Sequence, residues 1–213
     1  NIKYFKTEDQ LENYYYFLQN LRENKLIKDK TITCYHRSNS LKHLEECNFD
    51  LEFSDNDALF GNAIYFASSP NITTQLGTYL CKFKIKLDNP LNLNSEITND
   101  EANKLLKLFL DKYGFKISYT VRGDLEKNFE YDFNDEYNNV QYGEFFEQLE
   151  EIIEFGNISP NSKFTDFIKT VLGYNSFYHF SDYGTNFITA KGDYGYCYGI
   201  YDVSSIEFID GPF

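Results

Sequence analysis

The chain has 213 residues, enough for one domain with a real core or one domain carrying a large insertion. Its net charge of −13 works against non-specific contact with phosphate backbones, which needs Lys and Arg, so a nucleic acid would have to enter through a local pocket. Aromatic residues make up 19% of the chain with no Trp and no Met, so 19 Tyr and 21 Phe must supply much of the core volume. The lack of Met, even at position 1, reads as a processed chain or an excised fragment. No apolar run of about 18 residues occurs, so no spanning helix is expected, and no signal peptide is read.

Thr7 with Gln10 forms a capping box, and Leu11, Tyr14, Tyr15, Leu18 and Leu21 follow at helical spacing, which predicts a helix over residues 7–24. Residues 31–36 (TITCYH) are β-branched and aromatic and read as a strand. A short helix near Leu41–Cys47 follows within polar loop, then a short apolar strand over 63–67. Over 79–87, Tyr79, Cys81, Phe83, Ile85 and Leu87 alternate with Lys82, Lys84 and Lys86, the period of a strand with one face in water.

Thr98 with Glu101 is a second capping box, opening a helix through Leu105, Leu106, Leu108, Phe109 and Leu110 that stops at Gly114. Residues 115–121 read as a strand, and 124–139 are acidic and aromatic without a period. Tyr142, Phe145, Phe146, Leu149, Ile152 and Ile153 make one helical stripe. Phe164, Phe167, Ile168, Val171 and Leu172 make another, ending at Gly173. Strands are expected over 174–180, 186–190, 196–202 and 205–209. Helix, strands, an inserted helical segment and strands again make an α+β class rather than a repeating βαβ pattern.

Four cysteines lack CxxC spacing, and with three histidines they give no zinc pattern; they read as free thiols of a reducing compartment. The acidic DFNDEYNN lacks the Gly and terminal Glu of a calcium loop, so no metal is expected. No GxSxG, Walker loop or GxGxxG is present. Taken singly, His36 reads as a structural histidine, and GNAIYFASS from Gly61 as a turn into a core strand. A flat aromatic beside small hydroxyls also suits a planar, amide-bearing ring. Gly199 inside YCYGIYDVSSI implies a bulge or the close approach of a backbone or ligand.

Taken together, Tyr35-His36-Arg37, GNAIYFASS and YCYGIYDVSSI resemble the ADP-ribosyltransferase superfamily, of the His-Tyr-Glu type seen in poly(ADP-ribose) polymerases and diphtheria toxin. The likeness covers about residues 31–93 and 171–209 of a single 1–213 domain. It leaves the N-terminal helix (1–30) and an inserted acidic, helical segment (94–170) unmatched. It implies two small, packed, mostly antiparallel sheets with an NAD cleft between them and helices outside. His36 would hold a ribose hydroxyl and Arg37 would offer backbone groups to the nicotinamide amide. Tyr65 would stack on nicotinamide, with Ser68 or Ser69 near the amide and Tyr79 the candidate second ring. Ser38, Gly61 and Phe66 complete the implied NAD-binding set, and NAD is a substrate, with no metal.

Cys197 stands where that family has its catalytic glutamate. Breaking the nicotinamide–ribose bond builds positive charge on the sugar, which a fixed carboxylate stabilises and a neutral thiol does not. Asp193 is the best substitute acid, and Asp202 should face away from Cys197 because an odd number of positions separates them on a strand. The resemblance therefore implies slow mono-ADP-ribosyl transfer to a protein acceptor, without polymer formation. A bacterial or viral effector or toxin, cytoplasmic or delivered into a host cytoplasm and not bound to membrane, would fit it. A catalytically silent module that binds NAD or a protein partner is the alternative. A cysteine enzyme pairing Cys197 with His36 is the third, and it requires a thiol–imidazole contact.

Overall fold

A computed structural model describes residues 30–49, 51, 60–70, 77–117, 139–154, 161–180 and 195–213. The helix expected over 7–24, the strand over 186–190, nearly all of the acidic 124–139 stretch and Asp193 lie outside the described residues. The described elements in chain order are β1 (Lys30–Ser38), α1 (Leu41–Glu45), β2 (Ile64–Ala67), β3 (Tyr79–Leu87), β4 (Pro90–Asn92), β5 (Glu96–Thr98), α2 (Asn99–Tyr113), β6 (Lys116–Ile117), β7 (Asn139–Gln141), α3 (Tyr142–Ile152), β8 (Ile153–Glu154), α4 (Asn161–Thr170), β9 (Ser176–Phe180), β10 (Tyr196–Ile200) and β11 (Ile206–Asp210). The mixture is α+β, as the sequence implies. The chain divides into two compact units.

The first unit comprises Asn1–Asp50, Ile64–Leu91 and Tyr174–Phe213. Its seven-stranded sheet runs in the order β11-β3-β1-β2-β10-β9-β4. The pairs β11–β3, β3–β1, β1–β2, β2–β10 and β10–β9 are antiparallel. Along β3, Cys81, Phe83, Ile85 and Leu87 are buried while Lys84 and Lys86 are exposed, so this half of the sheet has one wet face. All five residues of β9 and all five of β10 are buried, so the other half is covered on both faces.

The expectation of two small facing sheets is corrected here. The motif strands β1, β2 and β10 hydrogen-bond side by side within one seven-stranded sheet. Period-2 alternation tells which face of a strand is wet. It does not tell which edges pair, and pairing decides whether strands share a sheet.

Gly199 lies between Tyr65 on β2 and Phe177 on β9, each its direct cross-strand partner. A Cβ placed on Gly199 would come 2.0 Å from Phe177 Cζ, so the Phe177 ring lies over the bare backbone of β10. The close approach that a strand glycine implies is therefore made by a side chain of this protein.

The second unit comprises Leu51–Ala63 and Asn92–Gly173. Both arms of the Thr98–Glu101 capping box form, at 3.2 Å and 2.9 Å, and Gly114 at φ +70 closes α2. α2, α3 and α4 share a phenylalanine core: Phe109 lies 5.7 Å from Phe164 and 5.1 Å from Phe167, and Phe146 lies 5.4 Å from Phe164. Tyr113 donates to Asp166 at 2.6 Å, and Lys112 pairs with the same oxygen at 3.0 Å, tying α2 to α4. The strand expected over 115–121 is described only at Lys116–Ile117, paired with Ile153–Glu154.

Gly199→Ala should destabilise the protein by about 1–3 kcal/mol, because the added methyl overpacks against a buried ring. Urea unfolding checks this, and Phe177→Leu in the same chain should recover part of the loss.

Candidate functional site

Cross-strand register sorts the motif residues onto faces. Tyr35 opposes Ala67, Ala67 opposes Cys197, and Cys197 opposes His179, forming one row across four strands. Two residues along the strands, Tyr65, Gly199 and Phe177 form a second row on the same face. Phe66, Tyr198 and Tyr178 form a row on the opposite face. His36 belongs with that last row, its ring 5.4 Å from Phe66. Tyr65 and Cys197 thus share a face, and His36 presents its ring on the other.

His36 sits among Phe49, Phe66 and Phe83, with ring centroids at 5.5, 5.4 and 6.3 Å. Its Nδ1 lies 2.6 Å from the carbonyl oxygen of Tyr65. A carbonyl only accepts, so Nδ1–H is the donor and Nε2 carries the acceptor lone pair. Burial pulls the His36 pKa below its ordinary value, against a smaller upward pull from the Tyr65 carbonyl, and the ring is neutral at pH 7.

On the other face, Tyr65 meets Phe177 edge to face at 5.6 Å, and Phe177 meets Tyr201 at 5.6 Å. Tyr201 is buried, and burial with the nearby Tyr65 pushes its phenol up. Cys197 is 7% exposed, and burial pushes its thiol up to about 12. His179 is 2% exposed, and burial pulls its ring down to about 4, against a weaker pull from the Phe180 carbonyl. A neutral thiol therefore faces a neutral imidazole, which is not the ion pair of an activated cysteine.

The Cys197–His36 contact that the cysteine-enzyme alternative requires is not made: the sheet backbone lies between them, and the histidine opposite Cys197 is His179. Sequence order could not reveal this, because β9 acquires its place beside β10 only through pairing. All four cysteines are free thiols.

The other candidates take local roles. Arg37 Nη1 donates to the Gly77 carbonyl at 3.4 Å, and Ser38 Oγ accepts from Ser40 N at 3.2 Å. Tyr79 opposes Ser38 and so shares the face of His36, away from Tyr65. Phe66 is core. Ser68 closes the β2–β10 ladder, its N donating to the Tyr196 carbonyl at 2.8 Å and its Oγ accepting from Tyr196 N at 2.9 Å. Gly61, at φ +94, belongs to the second unit, where the adjacent Asn62 N donates to Thr165 Oγ1 at 2.7 Å. Asp202 is exposed and accepts from Ser204 N at 2.9 Å, capping a single 3-10 turn.

Among the described residues, no group of three or more His, Cys, Asp or Glu is placed to hold a metal, and no helix is long and apolar enough to cross a membrane. Phe49, Phe177 and His179 are the site neighbours that sequence reasoning missed. The signal for Phe177 was present in Gly199, which needed something to fill the space above it.

No protein-family model and no curated protein matches the chain. Among solved structures, the chain has a low likeness to the crystal structure of an anti-CRISPR protein. That likeness has 15% identity and a TM-score of 0.34, over 84% of this chain and 96% of the other.

Two outcomes are expected of the buried groups. A histidine held below its unfolded pKa is protonated first in the unfolded chain, so its stability contribution is full above about pH 6.5 and is lost as pH falls. For His179 the loss down to about pH 4 amounts to about 3 kcal/mol, and His179→Gln should flatten that slope in urea titrations. Iodoacetamide at pH 8 should leave Cys197 unmodified in the native protein and label it in urea, as read by mass spectrometry.

Proposed function

We propose that the chain is a mono-ADP-ribosyltransferase that uses NAD and modifies a protein acceptor. The observation that carries this reading is the adjacency of β1, β2 and β10. It brings His36, Tyr65 and Cys197, from three distant stretches of sequence, onto neighbouring strands. His36 and Tyr65 also stand within two residues of one rim of the sheet, where β1 ends at Ser38 and β2 begins at Ile64. In this reading a dinucleotide lies across that rim. Tyr65 stacks the nicotinamide on one face, and His36 Nε2 accepts from a ribose hydroxyl on the other.

Cleavage releases nicotinamide and leaves developing positive charge on the ribose. Cys197 is protonated and gives that charge no counterpart, which costs about 10²–10³ in rate relative to a preorganised carboxylate. The low-pKa imidazole of His36 acts by holding the sugar rather than by carrying charge.

The buried, protonated Cys197 also favours a second reading, a module that binds NAD or a partner without turnover.

The test incubates the protein with labelled NAD and a cell lysate, beside Tyr65→Ala and Cys197→Glu, with calorimetry for NAD binding. Label on a discrete band, abolished by Tyr65→Ala, is the expected outcome, and Cys197→Glu should raise it by about 10²-fold. NAD binding without label supports the second reading. Absence of both label and NAD binding overturns the transferase and leaves the module that binds a protein partner.

A further inference from the structure

We infer that Phe177 is a positioning residue for Tyr65, acting across β10 through the gap at Gly199; this rests on the reading of Tyr65 as the nicotinamide-stacking ring. β9 and β2 are both neighbours of β10 and are therefore two strand spacings apart, about 9.6 Å. The Phe177 and Tyr65 rings nevertheless stand 5.6 Å apart, at an interplanar angle of 66°. That approach requires the intervening position to carry no side chain. The position is Gly199, whose Cβ would fall 2.0 Å from Phe177 Cζ and 2.1 Å from Cε1.

Phe177 is fully buried and also packs against Tyr201, so its ring is held in place. Tyr65 is half-buried, less enclosed than Phe177. An edge-to-face contact restrains ring rotation, so Phe177 sets the plane in which Tyr65 meets a planar carboxamide ring. Tyr79, on the opposite face of the sheet, does not reach it.

An aromatic ring over a strand glycine also shields bare backbone, which is a purely stabilising role. The two roles separate in ligand affinity. The experiment measures nicotinamide and NAD dissociation constants and the ring-flip rate of carbon-13-labelled Tyr65, using the wild type, Phe177→Leu, Gly199→Ala and Tyr65→Ala. The control is Ile85→Ala, a core truncation on the other face of the sheet.

Phe177→Leu should weaken nicotinamide by about tenfold and speed the Tyr65 flip. Ile85→Ala should stay within about twofold of wild type despite its lower melting temperature. Should Phe177→Leu fail to fold, Gly199→Ala displaces the ring without removing it and should weaken binding likewise. If Tyr65→Ala abolishes binding while Phe177→Leu binds as wild type, the positioning role is wrong and the NAD reading stands. If the wild type binds neither nicotinamide nor NAD, both fall together.

Discussion

The four-residue strand β2 holds the first unit together. It pairs with β1 on one side and β10 on the other, so it joins an early and a late segment of the chain through backbone hydrogen bonds at the middle of the sheet. Ser68 fastens the end of that ladder with two further bonds to Tyr196. Every feature of the candidate site depends on this junction. The His36 ring is oriented by a β2 carbonyl, Tyr65 lies on β2 itself, and Cys197 is set by its register against Ala67.

The junction also explains the electrostatics. β10 and β9 are buried at every position, so any titratable group on them loses solvent on both sides of the sheet. Desolvation penalises charge whatever its sign: the Cys197 thiol rises and the His179 imidazole falls. Two residues that could form an ion pair in a wetter cleft are both neutral here. Among the described residues the site holds a neutral imidazole whose Nδ1–H donates to the Tyr65 carbonyl, a half-buried tyrosine and a set of aromatic walls.

Much of the secondary structure was legible because its signals are local. β3 matches its alternating lysines, α2 begins at its capping box and stops before Gly114, and the phenylalanine stripes of α3 and α4 are the buried faces. The site was legible only in part. The motif residues do lie on neighbouring strands, but their division between two faces followed from the register of β1 on β2, which no residue pattern in either strand announces. Phe177 and His179 stayed hidden because they lie on β9, next in space to β10 but separated from it by the residues between Phe180 and Tyr196.

By itself, the sequence determined the elements and their wet and dry faces, since capping, turn and periodicity rules act within a few residues of chain. It also determined that no carboxylate occupies position 197. The tertiary structure alone decided that the motif strands share one sheet, that His36 and Tyr65 face opposite ways, and that Phe177 fills the space above Gly199. These are properties of strand pairing between distant segments. Pairing is set by the burial of whole faces against the rest of the fold, so no local stretch contains it.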